Sequence, residues 1–209
     1  MLKYVSLSLR GLCATPEEHS MWTNKSRQMN ILALVTDAHG GFGGISQFNR
    51  DALEAMCDYD TVNEIHVFPR IAALPLGQLP KKLHYHLGGL GSRLSYAAST
   101  LRDGVRLGRL DVIVCGHINL LPAAIALSHM TRAPLILIVY GIEVWRSGRR
   151  TPKWILSKSV SAVISVSALT RDRFLNWCPI SPERMFVWKT TVCEPKTLIC
   201  ASALVLAVE

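Results

Sequence analysis

A glycine-rich stretch at residues 31–53 limits the possible folds of this chain; it reads ILALVTDAHGGFGGISQFNRDAL. An apolar run ends there, and a helical pattern at 45–57 follows at once, with apolar residues recurring on one side. A helix begins with unpaired N–H groups and a partial positive charge, and glycine lets an anion approach them closely. The stretch therefore predicts a strand-to-helix turn that binds a phosphate group, the alternative being the same tight turn without a ligand. The turn holds four glycines: Gly40, Gly41, Gly43 and Gly44.

The spacing of these glycines does not match the common nucleotide-binding fingerprints. A dinucleotide site has G-x-G-x-x-G after the first strand and an acidic residue at the end of the second. Gly41 and Gly43 give the first pair, but Ser46 stands at the third place, and the second predicted strand ends in HVFPR without a carboxylate. The lysine of a P-loop is also missing after the glycines. A nucleotide-dependent oxidoreductase is therefore kept only as an alternative.

Short apolar runs alternate with helical patterns along most of the chain. The runs at 30–36, 111–115 and 135–139 are apolar apart from Asn30, Thr36 and Asp111 at their ends, as in parallel strands that are covered on both faces. Such alternation implies right-handed crossovers and a doubly wound, mostly parallel Rossmann-like α/β sheet. We predict strands at 30–36, 64–69, 111–116, 133–141 and 162–167, and helices at 45–57, 92–110, 119–132, 152–160 and 168–177.

Composition narrows the class of protein. The chain has 209 residues, of which 49% are hydrophobic and 18% are charged, and this is typical of a globular domain. Its formal charge of +8 permits an anionic partner but does not choose one. No uninterrupted apolar run reaches the roughly 18 residues of a membrane span. Six cysteines without a C-x-x-C pair favour buried thiols in a reducing compartment.

Four motifs, in order, give the chain a resemblance to a known family. They are the glycine loop and helix GGFGGISQFNRDALEAM, the strand and helix DVIVCGHINLLPAAIAL, the strand PLILIVYGIEVW, and SAVISVSALTRDRFLNW with the following ISPERMFV. The set resembles the N-terminal, acceptor-side Rossmann-like domain of GT-B fold retaining glycosyltransferases of the family-four type. The resemblance covers residues 29–188, and residues 1–28 are interpreted as a loose N-terminal extension.

This resemblance implies transfer of a sugar from a nucleotide-sugar donor to a glycan or lipid-linked acceptor, with the anomeric configuration retained. It implies that Gly41, Gly43 and Gly44 lie beside the donor phosphates and that this domain mainly shapes the acceptor site. The donor is a co-substrate, so neither a cofactor nor a metal is expected. The two histidines of HYH at 84–86 have no third ligand nearby in the sequence and are interpreted as ordinary surface or core residues.

Three further candidate site residues follow the predicted third and fourth strands. The family's histidine before glycine falls on Tyr140, whereas the histidine after the third strand is present as His117. Because ligands bind beyond the carboxyl ends of parallel strands, we assign His117 and Tyr140 as catalytic and Glu143 as substrate-binding. A tyrosine, with an ordinary pKa of about 10, is a better hydrogen-bond donor than base. The alternatives are a backbone hydrogen bond for His117, core packing for Tyr140 and a solvated loop charge for Glu143.

The resemblance ends near Trp188. The family continues into a donor-binding domain with a spaced pair of glutamates and with basic residues that stabilise the leaving phosphates. We interpret residues 189–209 as a divergent tail produced by truncation or frameshift, with a short native element as the alternative. We expect this chain to be inactive alone, since it lacks that charge stabilisation, or to be a non-catalytic domain that pairs with a separate donor-binding chain.

Basic residues cluster on and near the predicted second helix. Such a face can rest on an anionic membrane or a lipid phosphate, and a solvated basic face is the alternative. No recognition motif or interleaving of aromatic and basic residues indicates nucleic-acid binding. We therefore expect a cytoplasmic protein, with peripheral contact at the inner face of the membrane as a hypothesis. The basic residues are Lys81, Lys82, Arg102, Arg106 and Arg109.

Overall fold

The computed structural model describes residues 28–141, 143 and 153–188, so the predicted extension (apart from Gln28) and the predicted tail at 189–209 lie outside the described residues. Within this part of the chain, strands and helices alternate. The strands are β1 (Met29–Val35), β2 (Val62–Pro69), β3 (Leu83–Tyr85), β4 (Val112–Cys115), β5 (Leu135–Val139), β6 (Ala162–Ser165) and β7 (Met185–Val187). The α-helices are α1 (Gly44–Cys57), α2 (Arg93–Arg106), α3 (Leu121–Thr131), α4 (Lys153–Ser159) and α5 (Ala168–Leu175).

The seven strands form one parallel sheet in the order β3-β2-β1-β4-β5-β6-β7. The order reverses between β1 and β4, where the chain crosses from one half of the sheet to the other. This arrangement confirms the doubly wound α/β fold that the sequence predicts. All seven carboxyl ends lie at the same edge of the sheet, and ligand sites of such sheets lie at that edge, near the reversal.

The two faces of the sheet carry separate apolar clusters. Leu32 and Leu34 of β1 pack on the face that α2 and α3 cover, whereas Ile31 and Ala33 pack on the face of α1. Successive side chains of a strand point to opposite faces, so a strand that is covered on both sides is apolar at every position. This explains why the central strands appear in the sequence as uninterrupted apolar runs.

The two edge strands could not be predicted from the pattern of apolar residues in the sequence. β3 and β7 have three residues each, and among the described residues each pairs with a single neighbouring strand. A segment this short shows no period, and β3 carries the sequence LHY, with exposed and half-buried residues after Leu83. Their strand conformation comes from pairing with β2 and β6, which is a tertiary effect.

Helix α2 is shorter than predicted. It ends at Arg106, and Gly108 then adopts a φ of 77°, which turns the chain toward β4. Arg109 therefore lies outside the helix, and its Nη2 donates to Asp111 Oδ1 at 2.7 Å. Asp111 also accepts the N–H of Asn30, so this ion pair connects the start of β4 to the start of β1.

Gly104 lies inside α2, where glycine costs about 1 kcal/mol relative to alanine. A Cβ atom at this position would lie 2.9 Å from Leu127 Cδ1 of α3 and 3.2 Å from Leu32 Cδ1 of β1. The glycine therefore allows α2 to approach its neighbours closely, and this packing is the reason for a residue that weakens the helix locally.

The described cysteines behave as buried thiols. Cys57, Cys115 and Cys178 are free and buried. Burial raises the pKa of Cys57 to about 11 and that of Cys115 to about 12, so both remain protonated at neutral pH. Among the described residues, no helix combines the length and apolar character needed to cross a bilayer.

Candidate functional site

The carboxyl edge of the sheet collects most of the candidate site residues. The glycine loop follows β1 and leads directly into α1. His117 follows β4, and Tyr140 follows β5, with a distance of 6.5 Å between the two ring centroids. The topology thus brings the predicted loop and the predicted side chains to one edge, beside the point where the strand order reverses.

The four glycines of the loop fall into two classes. A Cβ atom at Gly40 would lie 2.6 Å from the carbonyl oxygen of Leu74, and one at Gly41 would lie 2.6 Å from Asp37 Cβ. At Gly43 and Gly44, no atom of the described residues lies within 4 Å of such a Cβ. The first two glycines are therefore required by packing, whereas the last two leave the outer side of the loop open.

The first turn of α1 has no side-chain cap among the described residues. Gly43 is the N-cap, and the nearby Ser46 hydroxyl donates instead to the carbonyl oxygen of Ala38 at 2.7 Å. No acidic residue lies in this first turn. The leading N–H groups of the helix are therefore available to an anion, and the helix dipole favours one there. Phe42, at the tip of the loop, is 92% exposed.

Tyr140 is oriented toward α1. Its hydroxyl donates to Oδ1 of the buried Asn49, and Asn49 Nδ2 donates to the carbonyl oxygen of Asp37 at 2.8 Å. The Tyr140 ring also contacts Phe48 edge-on, with 5.4 Å between the ring centroids. Burial raises the pKa of Tyr140 well above its ordinary range, so the phenol stays protonated. Its hydroxyl thus connects β5, α1 and the residues before the glycine loop.

Glu143 closes the turn after β5. Its Oε1 atom accepts the N–H of Tyr140 at 2.6 Å and the N–H of Gly141 at 2.9 Å. The backbone N–H groups at the end of a strand are satisfied here by a carboxylate, which makes these bonds charge-assisted. The arrangement fixes the backbone of Tyr140 relative to the sheet edge.

His117 is half-buried and is held by its own backbone segment. It caps the short 3-10 helix Ile118–Leu120, and its Nδ1 accepts the N–H of Asn119 at 3.1 Å. Because Nδ1 is an acceptor, the neutral ring carries its proton on Nε2. Burial lowers the pKa of His117, against an opposing effect of Glu143, so the neutral form prevails at pH 7. The ring is therefore suited to donate a hydrogen bond from Nε2.

Two polar residues of this edge were missed by the sequence analysis. His39 is 4% exposed; its Nδ1 lies 3.0 Å from the Tyr85 hydroxyl, and its Nε2 lies 3.1 Å from Glu54 Oε1. Burial raises the pKa of Tyr85 to about 12, so this hydroxyl is protonated. His39 thus connects the glycine loop to α1 and β3. Asn49 had a visible signal, since it is a polar residue within the apolar stripe of α1.

The HYH histidines have a neighbour that the sequence analysis did not include. His66 of β2 stacks on His84 with 5.3 Å between the ring centroids, and its Nδ1 lies 3.1 Å from His86 Nε2. The two nitrogens bond to each other and do not converge on an ion. Within residues 28–141, 143 and 153–188, no group of three or more His, Cys, Asp or Glu side chains is arranged to hold a metal ion.

The histidine cluster formed by His66, His84 and His86 is expected to lower the stability of the protein in mild acid. Burial, and after it the neighbouring His86 and His84, lower the pKa of His66, while Glu64 opposes the shift. Burial also lowers the pKa of His86. Below the unfolded histidine pKa of about 6.5, the unfolded chain therefore binds more protons than the folded chain. We expect the free energy of unfolding in urea to fall as the pH falls through that value.

One variant distinguishes the contribution of this cluster to the pH dependence of stability from the contributions of the other histidines. His66→Gln should flatten the pH dependence below about 6.5, because it removes the central ring of the cluster. His129→Gln is the matched control, since His129 is exposed on α3. Equal slopes in the parent and His66→Gln would contradict the assignment.

Solved structures show what this fold resembles. The chain is similar to the apo form of the lipopolysaccharide outer core galactosyltransferase WaaB, at 14% sequence identity and a TM-score of 0.55. It is also similar to Anabaena Alr3699/HepE in complex with UDP-glucose, at 16% identity and a TM-score of 0.50. The matches cover 78% of this chain but 46% and 47% of those chains, so this chain spans about half the length of the structures that it matches.

These similarities confirm the sequence-based resemblance at the level of the fold: the sheet is a Rossmann-like half of the GT-B type. No protein-family model and no curated protein sequence matches the chain.

Proposed function

We propose that this chain is the acceptor-side half of a retaining glycosyltransferase, which takes a sugar from a nucleotide-sugar donor. The observation that carries the proposal is the uncapped first turn of α1, with Gly43 and Gly44 open on their outer side. An anion-binding turn at the carboxyl edge of a parallel sheet suits the diphosphate of such a donor. The fold and the order of the four motifs support the same reading.

In this proposal the loop residues have different roles. The N–H groups that follow Gly43 and Gly44 lie against the donor phosphates, and Gly41 gives the loop its close turn. The donor is consumed as a co-substrate, so the reaction requires no resident cofactor. Stabilisation of the leaving diphosphate also requires charge from a second half, supplied by the same protein or by a partner chain.

The three side chains at the edge support sugar binding. His117 Nε2–H donates to a sugar oxygen, which is the role that its neutral state permits. Tyr140 is not a base in this proposal, because its pKa is raised and its hydroxyl is bonded to Asn49. Tyr140 and Glu143 instead act as positioning residues that fix the end of β5 beside His117.

Contact with an anionic membrane belongs to the same proposal and has less support. Arg102 Nε donates to Asp103 at 2.7 Å, and Arg109 is paired with Asp111. Both arginines therefore have acidic partners that reduce their attraction for a charged surface. Arg106, at the end of α2, lies 3.9 Å from Asp103 Oδ1 through its Nη1 and is 73% exposed.

Amide chemical shifts of the full 209-residue chain test the proposal, with UDP-glucose as the probe. We expect UDP-glucose at millimolar concentration to shift the amides of Gly43, Gly44 and Ile45. Gly44→Ala should weaken this binding by about tenfold or more, because its methyl group blocks a charge-assisted hydrogen bond. Gly88→Ala is the matched control, since Gly88 lies in an exposed turn outside the site and has room for a methyl group.

Two results would contradict the proposal. The first is the absence of amide shifts in the glycine loop at saturating UDP-glucose. The second is binding of NADH at the same amides without binding of UDP-glucose, which would favour the oxidoreductase alternative.

A further inference from the structure

A cavity of about 500 Å³ opens beside the glycine loop, between the segment that follows β2, helix α2 and the start of α3. This volume is within the usual range for small-molecule sites. Its polar lining consists of Thr36, Arg70, Arg93 and Asn119, and the phenol of Tyr96 is turned away, donating to the carbonyl oxygen of Phe68 at 3.0 Å. Its apolar lining includes Ala97, Ile118, Leu120, Pro122 and Ala123.

The charged residues that line the cavity are all basic. Arg70 and Arg93 line it, and no acidic residue does so within the described part of the chain. Neither arginine forms a salt bridge with a described residue. The Arg70 guanidinium lies over the Tyr96 ring, with 6.0 Å between Cζ and the ring centroid. A guanidinium held over an aromatic ring keeps its N–H donors for a planar or tetrahedral oxyanion.

The apolar part of the lining requires a second feature in the ligand. Ile118 and Leu120 come from the 3-10 helix before α3, Pro122 comes from the first turn of α3, and Ala97 comes from α2. Ile71 lines the cavity as well and is 54% exposed. A free anion would leave these side chains in contact with water, whereas an apolar body attached to the anion would cover them.

Short hydrogen bonds join the cavity to the glycine loop. The Thr36 carbonyl accepts the N–H of Arg70 at 3.1 Å and that of Ile71 at 2.8 Å. The Gly40 carbonyl accepts the N–H groups of Ala73 and Leu74, both at 2.9 Å. The segment after β2 therefore forms a wall of the cavity and also supports the glycine loop.

We infer that this cavity binds the acceptor, and that the acceptor is an amphipathic acid, with a phosphate or carboxylate held by Arg70 and Arg93 and an apolar body held against α2 and α3. The assignment of this ligand as the acceptor rests on the proposed function. The chemistry of the ligand rests on the cavity alone.

Calorimetric titration of the full 209-residue chain with three probes tests the ligand class. The probes are octyl phosphate below its micellar concentration, inorganic phosphate and 1-octanol. We expect octyl phosphate to bind at least about tenfold more tightly than either part alone, since it uses both halves of the lining. Equal affinity for inorganic phosphate would overturn the apolar half of the inference, and equal affinity for 1-octanol would overturn the acidic half.

Variants locate the binding. Arg70→Gln with Arg93→Gln should weaken octyl phosphate binding by about tenfold or more, because two charge-assisted contacts are lost. Lys81→Gln with Arg106→Gln removes the same charge outside the cavity and should leave the affinity unchanged. Ala97→Phe fills the cavity without changing charge and should also weaken binding. If the double arginine variant does not fold, Arg93→Gln alone serves, because Arg93 is exposed on α2.

The same variants separate this inference from the proposed function. Gly44→Ala should leave octyl phosphate binding unchanged while it weakens UDP-glucose binding. Octyl phosphate binding without UDP-glucose binding would leave the cavity assignment standing and contradict the donor site. Unchanged octyl phosphate binding in both Arg93→Gln and Ala97→Phe would overturn the cavity assignment, whatever the result with UDP-glucose.

Discussion

Replacing Gly40 with alanine is expected to lower the free energy of unfolding by about 2–5 kcal/mol. Gly40 has a φ of 80°, where a side chain costs roughly 1–2 kcal/mol. Its Cβ would also lie 2.6 Å from the carbonyl oxygen of Leu74, a backbone atom that cannot rotate away. Overpacking of this kind costs about 1–3 kcal/mol. Urea denaturation of the full chain measures the change, with the slope as a check on two-state behaviour.

Two other glycines of the same loop are the controls. Gly43→Ala meets no neighbour, but its φ of 100° and ψ of 178° lie in a region that is essentially restricted to glycine, so we expect a backbone cost of about 1–3 kcal/mol. Gly44→Ala meets no neighbour and needs no positive φ, so its free energy of unfolding should stay within about 0.5 kcal/mol of the parent's. Equal destabilisation by Gly40→Ala and Gly44→Ala would show that the loop is not divided into a packed half and an open half.

The central strands could be predicted from the sequence because each one is recognisable from the apolar residues of its own segment. A strand covered on both faces is apolar at each position, and β4, β5 and the buried part of β1 from Ile31 to Val35 satisfy this rule. The glycine turn between β1 and α1 was equally visible, because few other residues permit such a turn. The placement of His117, Tyr140 and Glu143 beyond the strand ends then followed from the topology of parallel sheets.

Contacts between distant segments were not visible in the sequence. β3 exists because it pairs with β2, and its histidines meet His66 only through that pairing. His39 reaches Tyr85, 46 residues away, and no local pattern indicates this contact. The cavity beside the loop is similar, since its two arginines come from different elements and meet only when α2 packs on the sheet.

The sequence predicted the position of the site residues better than their orientation. Tyr140 lies at the expected edge, but its hydroxyl is bonded to Asn49 of α1. Glu143 lies near it and bonds backbone N–H groups of its own turn. Orientation depends on which buried polar groups need partners, and a buried group such as Asn49 directs the side chains around it.

Replacing Asn49 with alanine is expected to lower the free energy of unfolding by about 3 kcal/mol. Asn49 is 2% exposed, and the substitution leaves the Tyr140 hydroxyl and the Asp37 carbonyl without their present partner. Each unpaired buried group costs about 1–3 kcal/mol. Asn63→Ala is the matched control, because the hydrogen bond that the Asn63 side-chain amide donates to Asn30 is exposed. Its loss should change the free energy of unfolding by no more than about 0.5 kcal/mol.

A double-mutant cycle with Tyr140→Phe measures the coupling between the two side chains. The single change Tyr140→Phe should cost about 1–2 kcal/mol, since it leaves Asn49 Oδ1 without a donor. The double variant should be more stable than the sum of the single changes predicts, by about 1–2 kcal/mol, because the lost hydrogen bond is counted once. Strict additivity would mean that the hydroxyl is not bonded to Asn49, and Tyr140 would then be free to face a bound sugar as a donor.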